Sequence, residues 1–144
     1  ESYAAERVAK RISERQLADL DANLAKSAKL AARVAASGKG VATLAVAKQF
    51  HALDLAFHMS IIEASHNRRM LKVVGDSHIL TRIFSADRHQ FTSEILEATQ
   101  AEHESIVGAI RSGKTAAARD AMRLHIRNSL DLTLNEADAE PADR

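Results

Sequence analysis

A chain of 144 residues with one proline and five glycines contains almost nothing that would stop a helix. Its apolar content is 46%, built mostly from Ala, Leu, Ile and Val, while aromatic residues make up 3% and Trp is absent. Ala, Leu, Arg, Lys and Glu lose little side-chain freedom on entering a helix. A β-rich fold would need more β-branched and aromatic residues and more turn-forming positions. The fold class read from this balance is all-α, in one domain with enough apolar residues for a real core.

Periodicity divides the chain into about six helices. Tyr3, Ala4, Val8 and Ile12 recur at three- and four-residue steps over 1–11. Ser13 reads as an N-cap, with Gln16 three residues later completing a capping box. Leu17, Leu20, Leu24, Ala28 and Ala31 stripe a long second helix that ends near Ser37, where Gly38 and Gly40 allow a turn. A third helix is expected over 41–65. Asn67 caps a fourth that carries Met70, Leu71, Val74, Ile79, Leu80 and Ile83, with Gly75 inside it. The mixed polar stretch 85–93 reads as a loop. Ile95 to Ile110 form a fifth helix closed by Ser112-Gly113. Thr115 is a candidate cap for a sixth, whose apolar positions are Ala118, Met122, Ile126, Leu130 and Leu134. Short connections make sequential neighbours antiparallel, as in a bundle. The domain is set at 1–137, followed by an acidic tail, 138–144, expected to be disordered.

Charge narrows the function. Twenty basic and 19 acidic side chains leave a formal charge of +1, without the basic excess of a nucleic-acid reader. The absence of cysteine removes disulfides and thiolate ligands, so any metal must sit on His, Asp or Glu. No apolar run approaches the roughly 20 residues that span a bilayer. A soluble cytoplasmic protein is the expectation.

Asp54 and His58 stand four residues apart, which on a helix places them on one face about 5–6 Å apart. That face also carries Phe50, Leu53, Phe57, Ile61 and Ile62. A carboxylate and an imidazole directed into a core are costly unless paired or metal-bound. His103 heads the stripe of the fifth helix, and His125 lies among Met122, Ile126 and Ser129. Three helices could therefore bring one carboxylate and three imidazoles to one point in a bundle core. The plainer alternative is an Asp–His couple joined by a hydrogen bond, with two unrelated histidines.

Several short segments, taken in order, resemble the FCD-type effector-binding domain of GntR-superfamily regulators. Glu1-x-x-Ala4-Ala5 and the stretch from Ala9 to Leu20 are similar to its first helices. Asp54-Leu55-Ala56-Phe57-His58 resembles its Asp-x-x-Phe-His motif, and Ala64-Ser65-His66-Asn67 the short element that follows. Glu102-His103-x-x-Ile106-x-x-Ala109-Ile110, then Gly113 with Ala117, Ala118, Met122 and His125, resemble its last two helices. The resemblance implies a divalent metal on Asp54, His58, His103 and His125, and a twofold homodimer is the default expectation for such a domain. Zinc leads the candidate metals, with nickel, manganese, cobalt or iron possible on such ligands. It also implies a small organic-acid effector, and DNA binding through an N-terminal winged helix-turn-helix domain expected outside this segment.

In such a pocket the effector carboxylate would sit near the metal. Arg82 is a candidate to grip it with paired hydrogen bonds, a surface or ion-paired role being the alternative. Asn128 could offer an amide, against the plainer reading of a polar position near a helix end. His51 is a candidate supporting residue, His66 reads as a surface turn residue, and His78 and His89 are not assigned. The expectation is a regulator and no enzyme. The alternatives are a metal-dependent enzyme, for which Glu63 and Glu102 are the nearest free carboxylates, and a structural dimerisation module without metal.

Overall fold

The computed structural model describes residues 1–85 and 91–139, and the side chains of residues 1–77 and 91–134. Its described residues form six helices: α1 Ser2–Val8, α2 Glu14–Ala36, α3 Leu44–Ala64, α4 Arg68–Ser85, α5 Ser93–Arg111 and α6 Thr115–Ala139. Local chemistry sets several of the starts. Ser13 caps α2 and Gln16 reaches back to its backbone, completing the capping box. Asn67 Oδ1 accepts from the amides of Arg69 and Met70 at the start of α4.

Two starts differ from the sequence expectation. The third helix begins at Leu44 rather than Val41, because Thr43 is the capping residue. Val41 instead pairs with Thr92 in an isolated antiparallel bridge. Its flanking bonds run from Ala42 N–H to Phe91 O (2.8 Å) and from Ser93 N–H to Gly40 O (2.9 Å). Thr92 then caps α5 by accepting from the Ile95 amide. Part of the stretch read as a polar loop is therefore structural, and Phe91 is buried. Thr115 is the first residue of α6 rather than its cap. Gly113, in the turn before it, has φ of +65°, where a side chain is strained. At its far end α6 takes in Asp138 and Ala139, which the sequence reading placed in the tail.

Helix α2 packs against α3 and α5, α6 against α5 and α1, and α4 against α3. Two apolar clusters result. The larger joins Ala4, Ala5 and Val8 of α1 to Phe57, Ile61, Ile106, Ile110, Ala118 and Met122. The smaller joins Leu30 and Val34 to Ala47, Phe50, Phe91 and Leu96, and includes no described residue of α6. The second half of α6 departs from expectation here: Ile126, Leu130 and Leu134 are exposed. Their four-residue spacing gives a stripe, but α1 has only 7 residues against the 25 of α6 and cannot cover its length. Gly75 lies within α4, where a Cβ would stand 3.6 Å from the end of Met59, so it marks a close approach of α4 to α3.

Candidate metal centre

The four residues expected to converge do so. Asp54 and His58 come from α3, His103 from α5 and His125 from α6, with one donor atom of each lying within 4.8 Å of all the others. The three imidazoles are almost wholly buried, at 2%, 2% and 4% exposure. His125 Nε2 lies 3.2 Å from His58 Nε2 and 3.3 Å from His103 Nε2. Asp54 Oδ1 is 3.5 Å from His103 Nε2 and 3.8 Å from His58 Nε2. A tetrahedron with metal–nitrogen bonds of about 2.0–2.1 Å has edges of about 3.3–3.4 Å. The two separations from His125 fit such edges, and those from Asp54 to His103 and His58 are slightly longer.

Hydrogen bonding on the far side of two rings decides what faces inward. His125 Nδ1 is 2.7 Å from Glu102 Oε2. A carboxylate only accepts, so Nδ1 carries the proton, and in the neutral ring Nε2 presents a lone pair. His58 Nδ1 makes the equivalent bond to Glu1. His103 is held differently, by stacking on Phe57 with ring centroids 3.9 Å apart and planes 14° apart. Neutral rings held this way aim lone pairs at one another beside a carboxylate, an arrangement that repels itself unless a cation or proton lies among them. Carboxylates behind ligating imidazoles are the usual support of a metal site. The donor chemistry therefore fits a divalent cation.

Titration follows the same geometry. Burial is the strongest influence on His58 and opposes its charge. The bond to Glu1 and the charges of Asp54 and Glu1 outweigh it and hold the imidazole above its ordinary value. His103 is pushed down to about 2, first by burial and then by the positive charges of His125 and His58. Without a metal, a proton on His58 relieves the repulsion; with one, cation and proton compete for the same nitrogens.

A cavity of about 130 Å³ opens beside the cluster. Its lining includes the ionisable Asp54, Glu102 and His125 and the apolar Phe50, Phe91 and Ile95. Asn128 also borders it, and one N–H of its amide donates to Glu102 Oε1 at 2.5 Å. The side chains of Arg82 and His78 and the whole of His89 lie outside the described residues. His51 borders the cavity, its ring edge-on to Phe91 at 4.8 Å. His66 is exposed in the turn after α3, with φ of 56°. Glu63 is exposed.

Sequence reasoning missed the part of Glu1 altogether, and named Glu102 only as a free carboxylate for the enzyme alternative, not as the partner of His125. Glu102 adjoins His103 in sequence but serves His125, which lies 23 residues on. Glu1 serves a histidine 57 residues away. The one available signal was an acidic residue directly beside a candidate ligand.

The FCD domain family model matches residues 1–128. No curated protein matches the chain.

Proposed function

We propose, from the premise that this chain belongs to the FCD domain family, the C-terminal effector-binding domain of GntR-type regulators, that its Asp–His cluster holds a divalent cation which makes the adjoining cavity a receptor for a small carboxylate. The observation that carries this reading is the inward convergence of three imidazole nitrogens and Asp54, with the outer nitrogens of His58 and His125 committed to carboxylates. Oxygen and imidazole donors without thiolate suit zinc first, then nickel, manganese, cobalt or iron.

The cavity's own charges explain why the cation matters. Asp54 and Glu102 border it, and its described lining contains no Lys or Arg. An anionic ligand entering such a wall meets like charge. A divalent cation beside one ligating carboxylate supplies a net positive centre, and a bound ion dominates local electrostatics. Asp54 and the three histidines would hold it, while Phe50 and Phe91 exclude water from the apolar part of the ligand. Asn128, with an N–H and its carbonyl not committed to Glu102, and Arg82 of α4 are the proposed effector contacts. Effector binding then biases the arrangement of two copies of the domain and of the DNA-binding domains attached to them, with reciprocal coupling. Among the described residues no helix is long and apolar enough to cross a membrane.

The test is elemental analysis of protein purified with metal supplementation, followed by calorimetric titration with a panel of mono-, di- and tricarboxylates, with and without chelation. The expected result is one metal per chain and carboxylate binding only to the loaded form. Absence of bound metal after supplementation, or carboxylate binding unchanged by chelation, overturns the reading.

A further inference from the structure

We infer that Glu102 is a positioning residue of the metal site, which acts by fixing the ring of His125, and that Asn128 holds Glu102 in place. The inference rests on the metal reading above.

Glu102 and His103 are consecutive on α5, so their side chains leave the helix about 100° apart. His103 enters the cluster directly. Glu102 crosses to α6, where Oε2 meets Nδ1 of His125 at 2.7 Å and Oε1 accepts from Asn128 Nδ2 at 2.5 Å. Asn128 stands three residues beyond His125, on the same side of α6. Both carboxylate oxygens are thus occupied by groups from one short piece of α6. The amide sets the carboxylate plane, and the carboxylate sets the ring.

The consequence falls on His125 Nε2. A neutral imidazole places its proton on whichever nitrogen has an acceptor. With Glu102 present that nitrogen is Nδ1, and Nε2 keeps its lone pair toward the Nε2 atoms of His58 and His103. Without Glu102 the proton can move to Nε2, the face that a cation needs. A proton there competes directly with metal. The other two rings have supports of their own, Phe57 for His103 and Glu1 for His58. Glu102, His125 and Asn128 all border the cavity as well.

The experiment uses Co²⁺ and Zn²⁺ as probes on the chain and on Glu102→Ala, Glu102→Gln, Asn128→Ala and His125→Ala. Affinity is measured by competition with a chromophoric chelator, the Co²⁺ visible spectrum reports ligand geometry, and melting without metal reports folding. Wild type is expected to bind one Co²⁺, and His125→Ala to lose stoichiometric binding. Glu102→Ala should weaken affinity by about 10–100-fold. Glu102→Gln, which keeps an oxygen acceptor, should weaken it less, and Asn128→Ala by severalfold. Metal-free Glu102→Gln, which keeps the acceptor, should melt close to wild type. Long-range ¹H–¹⁵N spectra of the metal-free protein should lose the Nδ1–H form of His125 in Glu102→Ala. If wild type binds no metal, the metal reading itself fails. If wild type binds metal and Glu102→Ala and Glu102→Gln match its affinity and spectrum, the positioning role fails and the metal reading stands. Should Glu102→Ala not fold, the near-isosteric Glu102→Gln and its spectrum carry the decision.

Discussion

The two ends of the bundle are built to opposite specifications. At one end α1 lies across α3, α5 and α6, and Ala4, Ala5, Val8, Phe57, Ile61 and Ala118 are sealed to zero exposure. At the other end Leu30, Val34, Phe50, Phe91 and Leu96 form a smaller cluster that includes no described residue of α6, and Phe50 and Phe91 share with His125, Asn128 and Leu132 of α6 the lining of a cavity of about 130 Å³. The candidate metal ligands lie at the boundary. Close packing on one side fixes their directions, and open space on the other gives a ligand access to them. A site wholly within the sealed end would be rigid but closed; one wholly at the open end would be accessible but loose.

The strongest way to break this contrast is to remove an aromatic ring from each end. Phe57→Ala is expected to cost about 3–5 kcal/mol in urea unfolding, because the surrounding core cannot collapse. Phe50→Ala should cost clearly less, since Phe50 already borders open space. Equal costs would show that the two ends are packed alike. The next effect comes from metal. At a hundredfold excess over Kd, a cation bound only by the folded chain adds about 2.7 kcal/mol. That gain, seen as a rise in Tm, should vanish in His103→Ala, and its persistence would place the ion elsewhere.

Acid sharpens the picture at the boundary itself. Below pH 6.5 the unfolded chain takes up a proton at His103 that the folded chain refuses until about pH 2. Metal-free protein should therefore lose about 1.4 kcal/mol of stability per pH unit from this residue as pH falls through that window. His58 acts with the opposite sign: its raised value favours the folded state fully below pH 6.5, and that gain is lost as pH rises through the folded pKa. Urea unfolding between pH 7.5 and 5 measures the sum, and replacing His103 with Phe should flatten the acid side. The smallest effect belongs to the exposed stripe of α6. Leu130→Gln should shift the stability of the monomer by no more than about 0.5 kcal/mol. A larger loss would mean that this half of α6 is buried in a contact that the isolated chain does not make.

Local signals in the sequence were legible where one segment decides the outcome. The Ser13–Gln16 box and the Asn67 cap depend on residues three apart, and both formed. Asp54 and His58 were legible as a pair because a helix turn puts them on one face. What stayed hidden needed a second element. Val41 looks helical by its spacing from Leu44, but its partner is Thr92. Ile126, Leu130 and Leu134 have the spacing of a core stripe, which says nothing about whether a neighbour covers it. Glu102 looks like a surface residue of α5 until α6 is placed against it.

The bridge between Val41 and Thr92 has a surveyor's consequence. It ties Thr92, the cap of α5, to Val41, two residues before Thr43, the cap of α3. Asp54 is the eleventh residue after Thr43, and His103 is the eleventh after Thr92. At 1.5 Å per residue each offset is about 16 Å along its own helix, with the capping threonine as its mark. Insertion of a single residue between mark and ligand would raise that ligand by about 1.5 Å and turn it by about 100°. The same insertion in the turn between α3 and α4 would leave both offsets as they are.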